Sequence, residues 1–123
     1  KPDILVIEYN SLFGIEKNIT LKYDQNFMRP EKGIYKCLYG ASLKALKTLS
    51  KKKGYSLVTV NSNGNNAFFV RDEILNDKIH ERDLSVCFKN NTFKEYINSK
   101  GEISNLDKDD VKKLLISEKI IEI

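Results

Sequence analysis

Residues 3–10, DILVIEYN, constrain the fold of this chain more than any other stretch. Ile4, Leu5, Val6 and Ile7 form an unbroken aliphatic run, too short for a membrane span and without helical spacing. Such a run, rich in β-branched residues and preceded by Pro2, reads as a parallel-type strand buried on both faces. Strands of that kind belong to sheets covered by helices. The run breaks at its carboxyl end into Glu8, Tyr9 and Asn10, whose tips are polar. Open α/β sheets bind ligands outside that end of their strands, which makes Glu8 and Asn10 candidate site residues. The plainer alternative is that they only begin a solvated loop.

A chain of 123 residues with 41% hydrophobic and 31% charged side chains has the makings of one modest soluble domain. No segment approaches the ~20 consecutive apolar residues of a transmembrane helix, and no charged start leads into a signal-like apolar core. The net charge of +4 comes mainly from scattered lysines. Their one cluster, Lys51, Lys52 and Lys53, falls at an expected helix C-terminus, where cations offset the helix dipole. Nucleic acid and membrane are therefore not expected partners. Cys37 and Cys87 lack metal-ligand spacing, and His80 has no histidine or cysteine beside it, so no metal site is expected. Spacing leaves a disulfide between the two cysteines open; free thiols in a cytoplasmic protein are the simpler expectation. The chain begins Lys-Pro-Asp directly ahead of a buried-type strand and offers few other strands, so it reads as a piece of a larger sheet.

Residues 11–36 lack a strong element apart from an alternation, Ile19, Leu21 and Tyr23, that suits a short edge strand. Met28, Arg29, Pro30 and Glu31 cannot continue it. A connection of this length usually covers or forms a binding site. Residues 41–53 then show the clearest helix, with Leu43, Ala45, Leu46 and Leu49 on one face and Lys44, Lys47 and Lys51 on the other. Gly54 stands where a C-terminal cap belongs. The start of that helix, Tyr39, Gly40 and Ser42, is a possible anion or substrate site, or simply a capped terminus. Residues 55–60 and 67–70 read as two strands of a hairpin around the turn 61–66, with Asn63-Gly64 at its centre. Beyond Leu75 a short helix over 92–98 and a longer one over 108–118 are expected, followed by an apolar tail of Ile120, Ile121 and Ile123.

The segments KPDILVIEYN and YGASLKALKTLSKKKGYSLVTVNSNGNNAFFVRDEI resemble the carboxyl-terminal half of FkbM-type methyltransferases and their uncharacterised bacterial relatives. The resemblance covers about residues 2–75, a little over half of the chain. It implies the fold class: α/β, the second half of a doubly wound, Rossmann-like methyltransferase sheet. A parallel-type strand, a long insertion, a crossover helix and an antiparallel hairpin make up residues 1–75, and a helical extension over 76–123 packs on them. It also implies a function, contribution of acceptor-side residues to S-adenosylmethionine-dependent methyl transfer onto a small or glycan-like acceptor. Glu8 and Asn10 would then be catalytic, and Tyr39, Ser42, Asn61 and Asn63 would bind substrate. The glycine-rich turn and the ribose-binding acid of such enzymes are missing, so this chain alone is expected to bind no S-adenosylmethionine. Its partner would be a missing amino-terminal half or another protomer. The alternative is a non-catalytic α/β module that oligomerises through an open sheet edge.

Overall fold

The computed structural model describes residues 1–123 as an α/β fold with three small antiparallel sheets and three helices. The main sheet has three strands: β1 (Ile4–Glu8), β3 (Tyr55–Val60) and β4 (Asn66–Arg71), in the order β1-β4-β3. β4 runs antiparallel to both neighbours, so β1 and β3 point the same way without touching. Two small sheets join β2 (Ile19–Leu21) to β7 (Ile120–Glu122), and β5 (Tyr96–Ile97) to β6 (Ile103–Ser104). The helices are α1 (Leu43–Lys52), α2 (Leu84–Cys87) and α3 (Lys108–Leu115).

β1 corrects the expectation of a parallel strand buried on both faces. Its only strand partner is antiparallel, and its side chains alternate between shelter and solvent. Leu5 and Ile7 pack on the core beneath α1, whereas Ile4 is 57% and Val6 56% exposed. An all-aliphatic run hides its own alternation, because both faces carry the same kind of side chain. The sheet edge is equally one-sided. Arg71 N bonds Asp3 O and Tyr9 N bonds Asn65 O, so odd-numbered residues of β1 face β4. Ile4, Val6 and Glu8 turn their backbone groups to an open edge.

α1 begins at Ser42, whose Oγ accepts from Ala45 N at 3.1 Å, and stops before Gly54, which takes φ +84° as a left-handed cap requires. Leu43 and Ala45 are buried on the sheet, and Ser50, seven residues after Leu43, is buried as well. Leu49 departs from the expected inward stripe and is half-exposed. At about 100° per residue it lies about 120° around the helix from Leu43. Below α1 the core contains Tyr9, Leu57, Val60, Ala67 and Phe69, and burial of Leu57 and of Phe69 contributes about 1.5–3 kcal/mol each.

Residues 76–123 hold α2 and α3 together with three short strands, β5, β6 and β7. Residues 92–98 hold no helix; Tyr96–Ile97 turn back as a hairpin whose bend is organised by Asn98 Oδ1, accepting from Lys100 N and Glu102 N. That local acceptor competes with helix formation. α3 does form, capped by Asp107 Oδ1 on Asp110 N. The apolar tail becomes β7 and lies on β2, closing a second core of Phe13, Ile19, Cys37, Leu38 and Leu114. Residues 82 and 87 cover the outer edge of β3, through Arg82 N on Leu57 O and Cys87 Sγ against Val58 O, where β3 carries a register shift. One edge of the main sheet is thus covered and the other open.

Candidate functional site

β1 ends at Glu8, and just beyond its carboxyl end a cleft of about 280 Å³ opens beside the core of Phe13, Ile19, Cys37, Leu38 and Leu114. Its lining includes Asn10, Ser11, Cys37, Tyr39, Glu95 and Tyr96, with Asn91 and Phe93. The long connection after β1, the approach to α1 and the segment after α2 meet here.

Asn10 is buried and its side chain is fully engaged. Nδ2 donates to Cys37 O at 2.8 Å and Tyr39 O at 3.0 Å, while Oδ1 accepts from Leu12 N at 3.1 Å. It therefore fixes the chain that presents Cys37 and Tyr39 rather than offering free groups to a ligand. Ser11 Oγ, also buried, accepts from Asn91 N at 2.8 Å and ties the opposite rim to β1.

The polar centre is a cluster of Tyr39, Glu95 and Arg29. The Tyr39 hydroxyl donates to the Glu95 carboxylate, with O···O distances of 3.1 and 3.3 Å. Arg29 Nη2 stands 2.9 Å from Glu95 Oε2, and its guanidinium lies 4.0 Å from the centre of the Tyr39 ring. Burial first, and then the Glu95 charge, push the Tyr39 phenol far above its ordinary value. Burial also raises the Cys37 thiol, with Glu95 adding to it. Both groups are protonated at neutral pH, so Tyr39 is a hydrogen-bond donor and Cys37 an inert wall. A carboxylate accepts about four hydrogen bonds, and Glu95 uses part of that capacity on Tyr39 and Arg29. The remainder can accept a ligand hydroxyl.

Of the residues singled out by sequence, the structure brings Asn10 and Tyr39 together at the cleft. Glu8 lies outside the cleft lining, exposed at the end of β1, and acts on Tyr39 only through its charge. Ser42 does not reach the cleft either. It is fully buried, and its Oγ accepts from Ala45 N and Ile19 N, closing the start of α1. Asn61 organises its own turn, accepting from Asn65 N and Asn66 N. Asn63 receives Thr92 N on its carbonyl. Both belong to a hairpin that braces the rim from outside. Gly64 there takes φ +73°, and a Cβ on it would collide with the Asn90 carbonyl. Glu95 and Arg29 carried no signal in sequence, because their partnership spans 66 positions.

The chain matches no protein-family model, no curated protein and no solved structure.

The adenosyl cofactor implied by the resemblance does not fit the groups present. Gly40, two residues before the cap of α1, has its carbonyl engaged by Leu21 N and Thr20 Oγ1. The helix start behind it is sealed by Ser42. No group of three or more His, Cys, Asp or Glu side chains is placed to hold a metal ion. A second hollow of about 370 Å³, between residues 21–27 and 118–119, contains none of the predicted site residues. No helix is long and apolar enough to cross a membrane.

Proposed function

We propose that this chain is the acceptor-binding part of a methyltransferase-like protein, taking a small hydroxylated or glycan-like molecule into the cleft beyond β1. The S-adenosylmethionine site belongs, on this reading, to residues outside these 123. The single observation that supports it is the strand order. β1 and β3 run the same way, are joined through α1, and receive the reversed β4 between them. A reversed final strand of this kind is how the resembled sheet ends. The cleft lies outside the carboxyl end of β1, where sheets of that class place their ligands.

Within the cleft, the hydroxyl-accepting role expected of Glu8 passes to Glu95, with Tyr39 and Arg29 fixing its orientation. Phe93, 54% exposed at the rim, offers an aromatic face to a sugar ring. Asn10 is a positioning residue.

The test is titration of the isotope-labelled chain with a panel of methyl pyranosides, followed by amide NMR. Shifts should centre on Tyr39, Asn91 and Glu95. Glu95→Gln should weaken binding by about tenfold, the scale of one hydrogen bond to a charged group. Shifts confined to other surfaces, or stoichiometric binding of S-adenosylmethionine by this chain, would overturn the reading. A second reading, an interaction module, is favoured by the open edge of β1 with Ile4 and Val6 exposed. A stable dimer in the same samples, with no pyranoside response, would support that module instead.

A further inference from the structure

The two edges of the main sheet differ in what meets them. Along β3 the outer edge is occupied, by Arg82 N on Leu57 O and by the Cys87 thiol against Val58 O. Along β1 the outer edge is bare. Ile4, Val6 and Glu8 direct their N–H and C=O groups away from β4, and no backbone or side-chain group bonds them. Their side chains are exposed as well, Ile4 and Val6 by more than half. Native edge strands are usually blunted by a proline, a lysine or a bulge. β1 contains none of these: Pro2 precedes it, its one charge is the terminal Glu8, and its pairing with β4 has no register shift. A regular, aliphatic edge with free N–H and C=O groups is a template for one more strand.

We propose that this edge pairs with β1 of a second copy of the chain, antiparallel about a two-fold axis at Val6, joining the two sheets into one. The register follows from which backbone groups are free. With the axis at Val6, Val6 faces Val6 and Ile4 faces Glu8 of the other copy, and each opposed pair exchanges both N–H···O bonds. Every free group of Ile4, Val6 and Glu8 is then satisfied in both copies. An axis at Leu5 sets Glu8 against Pro2, and one at Ile4 sets Val6 against it, where no N–H is present. An axis at Ile7 sets Ile4 against Asn10, whose N–H is already given to Ala41 O. An axis at Glu8 brings two carboxylates face to face, which is repulsive. The same patch serves both copies, so the contact closes as a dimer. Ile4 and Val6 lie on the face opposite α1, where Val6 adjoins half-buried Phe68. Pairing brings two Val6 side chains together and extends that apolar band across the axis. The inference rests on the interaction reading of this edge and supplies its partner and register. Ile4, Val6 and Glu8 line no part of the cleft, so ligand binding there is tested separately.

Sedimentation velocity of the 123-residue chain, from about 5 µM to about 1 mM, should show monomer passing to dimer. Amide exchange at Ile4, Val6 and Glu8 should slow as concentration rises, while Leu5 and Ile7, which face β4, keep their rates. Val6→Lys sets two ammonium groups against each other at the axis and should weaken the dimer about tenfold. Its side chain is exposed in the single copy, so circular dichroism of the dilute variant should match wild type. Cysteine cross-linking with oxidised glutathione reads the register, since the native Cys37 and Cys87 are both buried. Val6→Cys should link to itself, because directly opposed residues stand about 5.5 Å apart at Cα. Ile4→Cys should not, but should link to Glu8→Cys when the two variants are mixed. A monomer at every concentration would overturn the pairing. So would a dimer unweakened by Val6→Lys, or self-linking of Ile4→Cys as fast as that of Val6→Cys. Pyranoside titration separates this inference from the acceptor reading. A dimer with the expected cross-links that binds no pyranoside keeps the pairing and removes the acceptor. Pyranoside binding by a chain that stays monomeric removes the pairing alone.

Discussion

The core beneath the three-stranded sheet and the core beneath β2 and β7 are built from different materials. The first draws on β3 and β4, two six-residue strands joined by a short turn, and on the ten-residue α1. The second gathers Phe13, Ile19, Cys37, Leu38 and Leu114 from short pieces scattered across the chain. A hairpin and an amphipathic helix can organise from neighbouring residues. The second core has no such local nucleus and exists only once Phe13 and Leu114, about a hundred residues apart, have met, whereas Tyr9 and Cys87 join a first core that the hairpin and helix already outline. The cleft is lined from the second core, by Cys37 with Leu12, Tyr96 and Leu106, so it rests on the part of the molecule built from scattered pieces.

The sharpest way to break that contrast is a matched pair of truncations. Leu57→Ala, at a fully buried place in the first core, should lower stability by about 3–5 kcal/mol in urea unfolding. Leu114→Ala in the second core should cost about 2–3 kcal/mol. In hydrogen exchange it should release Ile19–Leu21 and Ile120–Glu122 while the amides of β3 and β4 keep their protection. If Leu114→Ala opens both regions together, the molecule has one cooperative core and the contrast is wrong.

Asn10 sits on the seam. Asn10→Ala leaves the carbonyls of Cys37 and Tyr39 without their side-chain donor and should cost about 2–3 kcal/mol. The accompanying amide shifts should appear at residues 37–39 and 91 rather than within β3. A loss below about 1 kcal/mol would mean that water replaces the amide, and that the seam is already wet. Ser42→Ala should have the smallest effect, about 1 kcal/mol in the same assay, as the cap of α1 and the bond to Ile19 N disappear together. A substantially larger loss would show that the Ile19 bond, which ties β2 to the start of α1, matters more than the cap.

Sequence was most informative where the signal is local. The strands read at 55–60 and 67–70, the asparagine turn and both long helices follow from β-branched content, left-handed glycines and side-chain caps lying within a few residues of one another. Tyr39 and Asn10 were visible as candidates because of their places beside a helix start and a strand end. The helix expected at 92–98 failed on an equally local signal, the side-chain acceptor of Asn98, which favours a hairpin.

What the chain order determined by itself is therefore a set of elements: an apolar strand, a lysine-faced helix, a hairpin and an isoleucine tail. Tertiary structure decided their partners. It turned β1 against β4 with Ile4 and Val6 left in solvent, because an all-aliphatic strand does not encode which face is covered. It carried the tail from one end of the chain to β2 near the other, where Ile19 meets Glu122 and Thr20 meets Ile121. It also placed Arg29 and Tyr39 around the Glu95 carboxylate. Periodicity records how a residue faces its near neighbours. An ion pair between distant loops leaves no such trace, and only the packing of the two cores brings it into being.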